Sequence, residues 1–208
     1  MTHSYGRFDF DIIARWIKPG ERVLDLGCGD GSLLRELKEQ RGVLGYGVEN
    51  DPDSITACIR NGINALHFDL EQGLAGFQDD SFDHVIMSLS LQTVRHTEKL
   101  LREMLRVGHE AVVSFPNFGY HRHREAIAAG RMPVSRHLPF QWYDSPNLRF
   151  FTIADFEDLC ARIPVRICEL QAFAEGKPVH DNPNLTADIA LYRLARGLSG
   201  ESLQLADP

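Results

Sequence analysis

The 208-residue chain predicts an α/β fold: a doubly wound, mostly parallel seven-stranded sheet with helices on both faces. Three observations carry that prediction. Short apolar runs alternate with amphipathic stretches through the first two-thirds of the sequence, the pattern of strands linked by helical crossovers. A glycine cluster, Gly27-Cys28-Gly29-Asp30-Gly31, follows the first apolar run. Acidic residues stand at the ends of the first three strands, at Asp25, Glu49 and Asp69. Right-handed crossovers bring the C-terminal ends of parallel strands to one rim, so the glycine turn and these acids converge there.

The elements follow in order. Phe10, Ile13, Ala14 and Ile17 recur at helical spacing, and Pro19-Gly20 stops that helix. Val23–Leu26 is a short buried strand. Leu33, Leu34 and Leu37 mark the next helix, which Gly42 ends. Val43–Val48 forms the second strand, and Asp51-Pro52 opens a helix with Ile55 and Ile59 facing inward and Asn61-Gly62 as its stop. Ala65–Phe68 is the third strand. Beyond the turn-rich stretch Gln72–Ser81 come a fourth strand, Phe82–Met87, a helix, Thr97–Arg106, and a fifth strand, Ala111–Phe115, closed by Pro116.

From 116 to 150 the rhythm breaks. Prolines and a cluster of aromatic and arginine residues indicate a lid-like insertion after the fifth strand. Thr152-Ile153-Ala154-Asp155 reads as a capping box, with Asp in place of Glu, opening a helix through Cys160. Arg162–Phe173 and Ala187–Leu194 are expected to close the sheet as an antiparallel pair with a long polar connection. The expectation is one domain over 1–208, with the insertion at about 116–150 and a flexible polar tail at about 197–208.

Composition narrows the function. The 43% apolar and 25% charged fractions are globular values. Lys and Arg number 22 against 29 Asp and Glu, a net charge of −7, which argues against a non-specific grip on nucleic acid. The four cysteines, Cys28, Cys58, Cys160 and Cys168, form no C-x-x-C pair, so a reducing cytoplasm is expected. No apolar run approaches the ~18–20 residues that span a bilayer, and the first ten residues lack the apolar core of a secretory signal.

A glycine turn between strand and helix lets backbone approach a ligand and aims free N–H groups at it. Glu49 lies near the ~20-residue offset at which a carboxylate accepts from ribose hydroxyls. Together they point to a nucleoside. The dinucleotide pattern is G-x-G-x-x-G; here the third glycine comes one residue early, and Asp25 sits just inside the strand end. A carboxylate there opposes a pyrophosphate and suits an ammonium or a sulfonium. Asp69 is placed to accept from an adenine amino group, with the Leu70 N–H as its complement. The plain alternatives are a tight turn without ligand, a solvated strand-end Glu49, and Asp51 as a helix cap.

Residues 23–31, with Glu49, Asp69 and the 83–91 strand, resemble the S-adenosylmethionine-binding elements of class I, Rossmann-like methyltransferases over roughly residues 10–115. A narrower resemblance, to the methionine-biosynthesis protein MetW family, covers almost the whole chain. Phe10-Asp11-Ile12-Ile13, Asp79–Asp83, Phe115–Tyr120, Gly130–Val134 and Leu138–Asn147 carry it. That likeness implies S-adenosylmethionine or S-adenosylhomocysteine as cofactor, held by Asp25, Gly27, Cys28, Gly29, Glu49, Asn50, Asp69, Leu70 and Met87. It also implies a protein partner, a homoserine O-acyltransferase, and no nucleic acid or membrane.

No catalytic group stands out. Methyl transfer from a sulfonium is an in-line displacement that alignment and desolvation can drive, and a base is needed only for a protonated acceptor. The fourth strand runs into Ser88-Leu89-Ser90-Leu91-Gln92, not the Asn/Asp-Pro-Pro-aromatic motif of amino-group methyltransferases. His96 is the nearest base candidate; a surface histidine at a helix start is its plain alternative. His121 and His123 are interleaved with arginines that repel a cation, so no metal site is expected. Arg122, Arg124, Arg131 and Arg136 lie among Phe118, Tyr120, Phe140, Trp142 and Tyr143. These form a solvated loop face, a docking surface, or a small lid core over the rim. Two functions stay open: an adenosyl-binding accessory of the acyltransferase, and a methyltransferase acting on a small metabolite.

Overall fold

The computed structural model describes residues 8–197; the expected polar tail lies almost wholly outside them. The helices are α1 (Phe8–Trp16), α2 (Ser32–Arg41), α3 (Pro52–Arg60), α4 (Thr97–Val107), α5 (His121–Ala128), α6 (Ile153–Arg162) and α7 (Pro183–Thr186). The strands are β1 (Arg22–Leu26), β2 (Leu44–Glu49), β3 (Asn64–His67), β4 (Phe82–Ser88), β5 (Gly108–Pro116), β6 (Val165–Ala174), β7 (Lys177–Val179) and β8 (Ile189–Arg196). They form one sheet in the order β3-β2-β1-β4-β5-β8-β6-β7. β1 to β5 are mutually parallel, and β8 enters antiparallel between β5 and β6. The order reverses at β1, where a crevice opens between the crossovers leading to opposite faces.

Alternation along the strands loads both faces. Leu24, Leu26, Val85 and Met87 pack toward α4 and α6, and Val23 and Ile86 toward α1 and α2. This side-chain period of two is what a central strand needs when helices cover both faces. No helix among the described residues is long and apolar enough to cross a membrane.

Two expectations change. The sheet has eight strands, because the polar connection after β6 turns back at once through Glu175-Gly176, at φ 52° and 79°. That two-residue turn pairs Ala174 with Lys177, and left-handed backbone at both positions is what a tight hairpin demands. On α3, Ile59 is 65% exposed and Cys58 takes the buried place. The helix covers the thin edge formed by β2 and β3, where the half-exposed Leu44 and Leu66 leave little core to face.

The capping box at α6 forms as expected: Thr152 accepts from the Asp155 N–H, and Asp155 accepts from the Thr152 N–H at 2.9 Å. Thr152→Ala is therefore expected to lower stability by about 1 kcal/mol, read as a shift in urea midpoint. An unchanged midpoint would mean that packing of Ile153 and Phe156 alone holds this helix.

The insertion is one helix, α5, followed by irregular chain through residue 150, with a single bridge between Ser135 and Leu138. The Leu148 and Arg149 N–H groups donate to the Gln92 carbonyl at 2.9 and 3.0 Å, strapping the end of the insertion across the exit of β4. Its aromatics do not gather into one lid core. Tyr120 is buried, while Trp142 and Tyr143 are 75% and 70% exposed.

Candidate functional site

The rim is built outward from β1. The Gly27 and Cys28 N–H groups both donate to the Val48 carbonyl, at 2.8 and 3.1 Å, so the glycine turn lies down on neighbouring β2. That approach needs a missing side chain on β2. A Cβ at Gly47 would run into the Cys28 side chain. Gly29, at φ +55°, has nothing within 4 Å of where a Cβ would stand. The turn thus presents open space at a position where L side chains are strained.

Glu49 ties the turn to the next strand end. One carboxylate oxygen accepts from the Gly29 N–H at 2.9 Å. The other accepts from the Asn50 and Asp51 N–H groups at 2.7 and 3.1 Å. A carboxylate offers about four lone-pair positions, so three backbone donors orient the group and leave capacity for a hydroxyl. Phe68 donates its N–H to the Glu49 carbonyl at 3.0 Å, which sets Asp69 beside Glu49 on the rim. Asp69 Oδ1 accepts from the Glu71 N–H at 3.0 Å, capping a 3-10 turn over Leu70–Gln72. Asp51 is a helix cap, accepting from Ser54 N–H and Oγ–H at 2.9 and 2.7 Å; the Ser54 bonds hold its carboxyl below the usual range.

Asp25 is 2% exposed at the end of β1. Burial pushes the Cys28 thiol well up, and the nearby Asp25 carboxylate adds to the rise. Cys28 is therefore a packing residue in the thiol form, 3.7 Å from the Cys58 sulfur, and not a nucleophile.

Gly27, Cys28, Gly29, Glu49 and Asn50 form one bonded cluster, with Asp25, Asp69 and Leu70 on adjacent strand ends. Met87 and His96 are placed differently. The Met87 side chain is fully buried with Leu26 and Phe115, so β4 offers the rim backbone and Ser88 only. His96 is exposed at the N-terminus of α4, in an open groove with Arg95, Lys99, Arg102 and Arg149 that includes none of the rim residues.

Other residues at the rim escaped the sequence reading. Ser88 Oγ lies 3.3 Å from Asp9 Oδ2 and 3.2 Å from Ser114 Oγ, so buried Asp9 of α1 reaches the ends of β4 and β5. Leu89 sits at φ +54°, its N–H shared by the carbonyl and hydroxyl of Ser114, each at 3.0 Å. Ser90 donates to the Leu26 carbonyl at 3.2 Å and would meet a Cβ on Gly27 at that same separation. The only trace in the sequence is a Ser-x-Ser after the fourth strand.

Among the described residues no group of three His, Cys, Asp or Glu is arranged to hold a metal. His123 is structural: its Nδ1–H donates to the Asn117 carbonyl and Nε2 faces Ser135 Oγ, both at 3.0 Å. Burial pushes its pKa below the ordinary 6.5. The unfolded chain then binds the extra proton, so this residue's contribution is intact above about pH 6.5 and lost as pH falls below it. Denaturant titrations between pH 8 and 5 are expected to show that decline, and His123→Gln to flatten it. Equal slopes for both proteins would assign the acid sensitivity elsewhere.

Comparison with known proteins places this geometry. Over 203 residues the chain is 38% identical to the bifunctional methionine biosynthesis protein MetXA/MetW of Rhodopirellula baltica, covering 90% of this chain and 32% of that protein. The chain thus spans about a third of that relative. An S-adenosylmethionine-dependent methyltransferase from Mesorhizobium loti superposes with a TM-score of 0.69 at 20% identity, over 92% of this chain and 99% of that one. The cyclase SpnF superposes at 0.67 with 16% identity, over 92% and 81%. These likenesses establish a class I methyltransferase fold, and SpnF illustrates that the fold alone does not fix the chemistry. With the family model for methionine biosynthesis protein MetW matching residues 7–194, the chain belongs to the MetW family, a methionine-biosynthesis family built on the methyltransferase fold.

Proposed function

We propose that the chain binds S-adenosylmethionine or S-adenosylhomocysteine at the β1–β2–β3 rim and, so loaded, supports a homoserine O-acyltransferase. One observation carries the ligand: the Glu49 carboxylate is held by three backbone N–H groups directly against the open face of Gly29. In this reading Glu49 accepts from the ribose hydroxyls, Asp69 and the Leu70 N–H meet the adenine edge, and the Asp25 carboxylate lies toward the charged end of the ligand. The fused MetXA/MetW relative supports the partnership, since joining two units in one chain raises the effective concentration of one at the other.

Regulation would follow if the ligand favours one arrangement of the strap at Gln92, which requires different affinities for the two states. The test has two arms: calorimetry with both adenosyl ligands, and acyltransferase assays with and without this chain. Micromolar binding and a change in acyltransferase rate are expected. Heatless titrations would remove the ligand; an unaltered rate together with no complex would remove the partner.

A second reading, methyl transfer to a small metabolite, is favoured by the undamaged glycine turn. Transfer of labelled methyl from the donor into a metabolite extract distinguishes the two.

A further inference from the structure

A concavity lies between α4 and α6, its basic end beside the Leu70–Gln72 turn, where the Arg95 N–H donates to Glu71. Its deeper part is a cavity of about 190 Å³ lined by Thr97, Phe150, Phe151, Phe156 and Leu159. Phe156 is 2% exposed, whereas Phe150 is 46% exposed at the mouth. Asp155 lies at the edge but is engaged in the Thr152 capping box. The shallower part is an open groove bearing Arg95, His96, Lys99, Arg102 and Arg149. The two parts share Thr97, Arg149 and Leu159, so they form one continuous face.

The charge on this face opposes that of the chain. In a sequence of net charge −7, four cationic side chains converge here. The acid lining the groove, Glu98, is taken up by Arg102 at 2.9 Å. Arg149 is fixed in place, its guanidinium donating to the Arg95 carbonyl at 2.9 Å. The Arg95 N–H is held in turn by Glu71 at 2.8 Å. A preset arginine beside a small aromatic cavity is the combination that anchors protein interfaces, one apolar side chain seated in a pocket with complementary charge around it.

We infer that this face is the docking site for the acyltransferase partner, which inserts one apolar or aromatic side chain into the Phe150–Phe156 cavity and sets flanking carboxylates against Lys99, Arg102 and Arg149. The inference rests on the partnership proposed above. It adds a location and a chemistry: an acidic segment with an apolar anchor. The strap linking residues 148–149 to Gln92 borders this face and also crosses the exit of β4, so the docking face and the ligand rim share one element.

The test pairs the full chain with the purified acyltransferase and measures affinity by titration at increasing salt, for the unmodified chain and two double variants. K99E/R102E reverses charge on the exposed side of α4. W142A/Y143A truncates the most exposed aromatics of the insertion. The dissociation constant is expected to rise at least ~10-fold for K99E/R102E. It should also weaken with salt for the unmodified chain and be little changed for W142A/Y143A, with adenosyl binding equal in all three. A complex indifferent to K99E/R102E, or broken only by W142A/Y143A, overturns this docking site and leaves the partnership standing. No complex with the unmodified chain at any salt overturns both.

Discussion

Asn117→Ala is expected to lower the unfolding free energy by about 3–5 kcal/mol, a large part of the ~5–15 kcal/mol that holds a typical domain together. The side chain is 0% exposed and every polar atom on it is engaged. Oδ1 accepts from the Gly119 and Ile153 N–H groups, at 2.9 and 3.3 Å. Nδ2 faces the carbonyls of Pro183, Asn184 and Ala187, at 3.3, 3.1 and 2.8 Å. One amide thereby joins the end of β5, the start of the insertion, the start of α6 and the approach to β8. Gly119 is confined by the same knot; a Cβ there would stand 2.7 Å from the Asn184 carbonyl oxygen. Truncation removes the acceptor of the buried Gly119 and Ile153 N–H groups and the donor facing the Ala187 carbonyl, while Pro183 keeps the Ala187 N–H and Asn184 the Arg124 guanidinium. Each unsatisfied buried group costs about 1–3 kcal/mol.

The chemistry of the knot gives a sharper form of this test. N117D keeps the shape and replaces the donor with a second oxygen aimed at three carbonyls. A buried carboxylate so placed is strongly disfavoured, so its folded pKa rises above the unfolded value. Stability of this variant is then expected to be lowest near pH 8 and to recover as pH falls toward 5, opposite in sign to the His123 effect. Chemical denaturation across that range checks it. A loss below about 1 kcal/mol for both variants would show that water or backbone movement replaces the amide.

The central sheet was legible because buried parallel strands are written as short, mostly apolar runs, each broken here by one buried polar residue, Asp25 or Ser114. Val23–Leu26 and Ala111–Phe115 were found within one to three residues of their observed ends. Caps were legible for a related reason: Gly42, Asp51 and Thr152 each do locally what their side chains, or lack of one, allow. Misses came where a tertiary constraint overrode local pattern. Ile59 fits the helical spacing of α3, yet α3 sits on a sheet edge with little to bury. Glu175 is a poor residue for left-handed backbone, so the turn that creates β7 carried no signal.

At the site, the glycine turn and Glu49 were readable because both sit where two short strands must end. The contribution of α1 was not, since Asp9 meets Ser88 across 79 positions of sequence. Met87 illustrates the limit of strand-end reasoning. With a side-chain period of two, its side chain points into the core on the side of Val85, and only its backbone faces the crevice.

Glu49→Ala is expected to weaken adenosyl binding at least ~30-fold, on the order of 2 kcal/mol, with little change in global stability. The argument separates two roles of one carboxylate. Toward the ligand, charge-assisted hydrogen bonds to ribose hydroxyls are worth ~1.5–3 kcal/mol. Toward the protein, the carboxylate is the acceptor for the Gly29 N–H, so its removal also loosens the turn and adds an ordering cost to binding. Glu49→Gln separates them. The amide keeps one oxygen for the Asn50 and Asp51 N–H groups, but turns an NH₂ toward either the Gly29 N–H or the ribose. It should therefore lose nearly as much affinity as the alanine variant while holding the β2 exit in place. Calorimetry of the three proteins with S-adenosylhomocysteine, alongside amide exchange at Gly29, reads both roles. Equal affinities would make Glu49 a structural tether alone, and the nucleoside would then have to be held by Asp69 and the glycine turn without a ribose acceptor on β2.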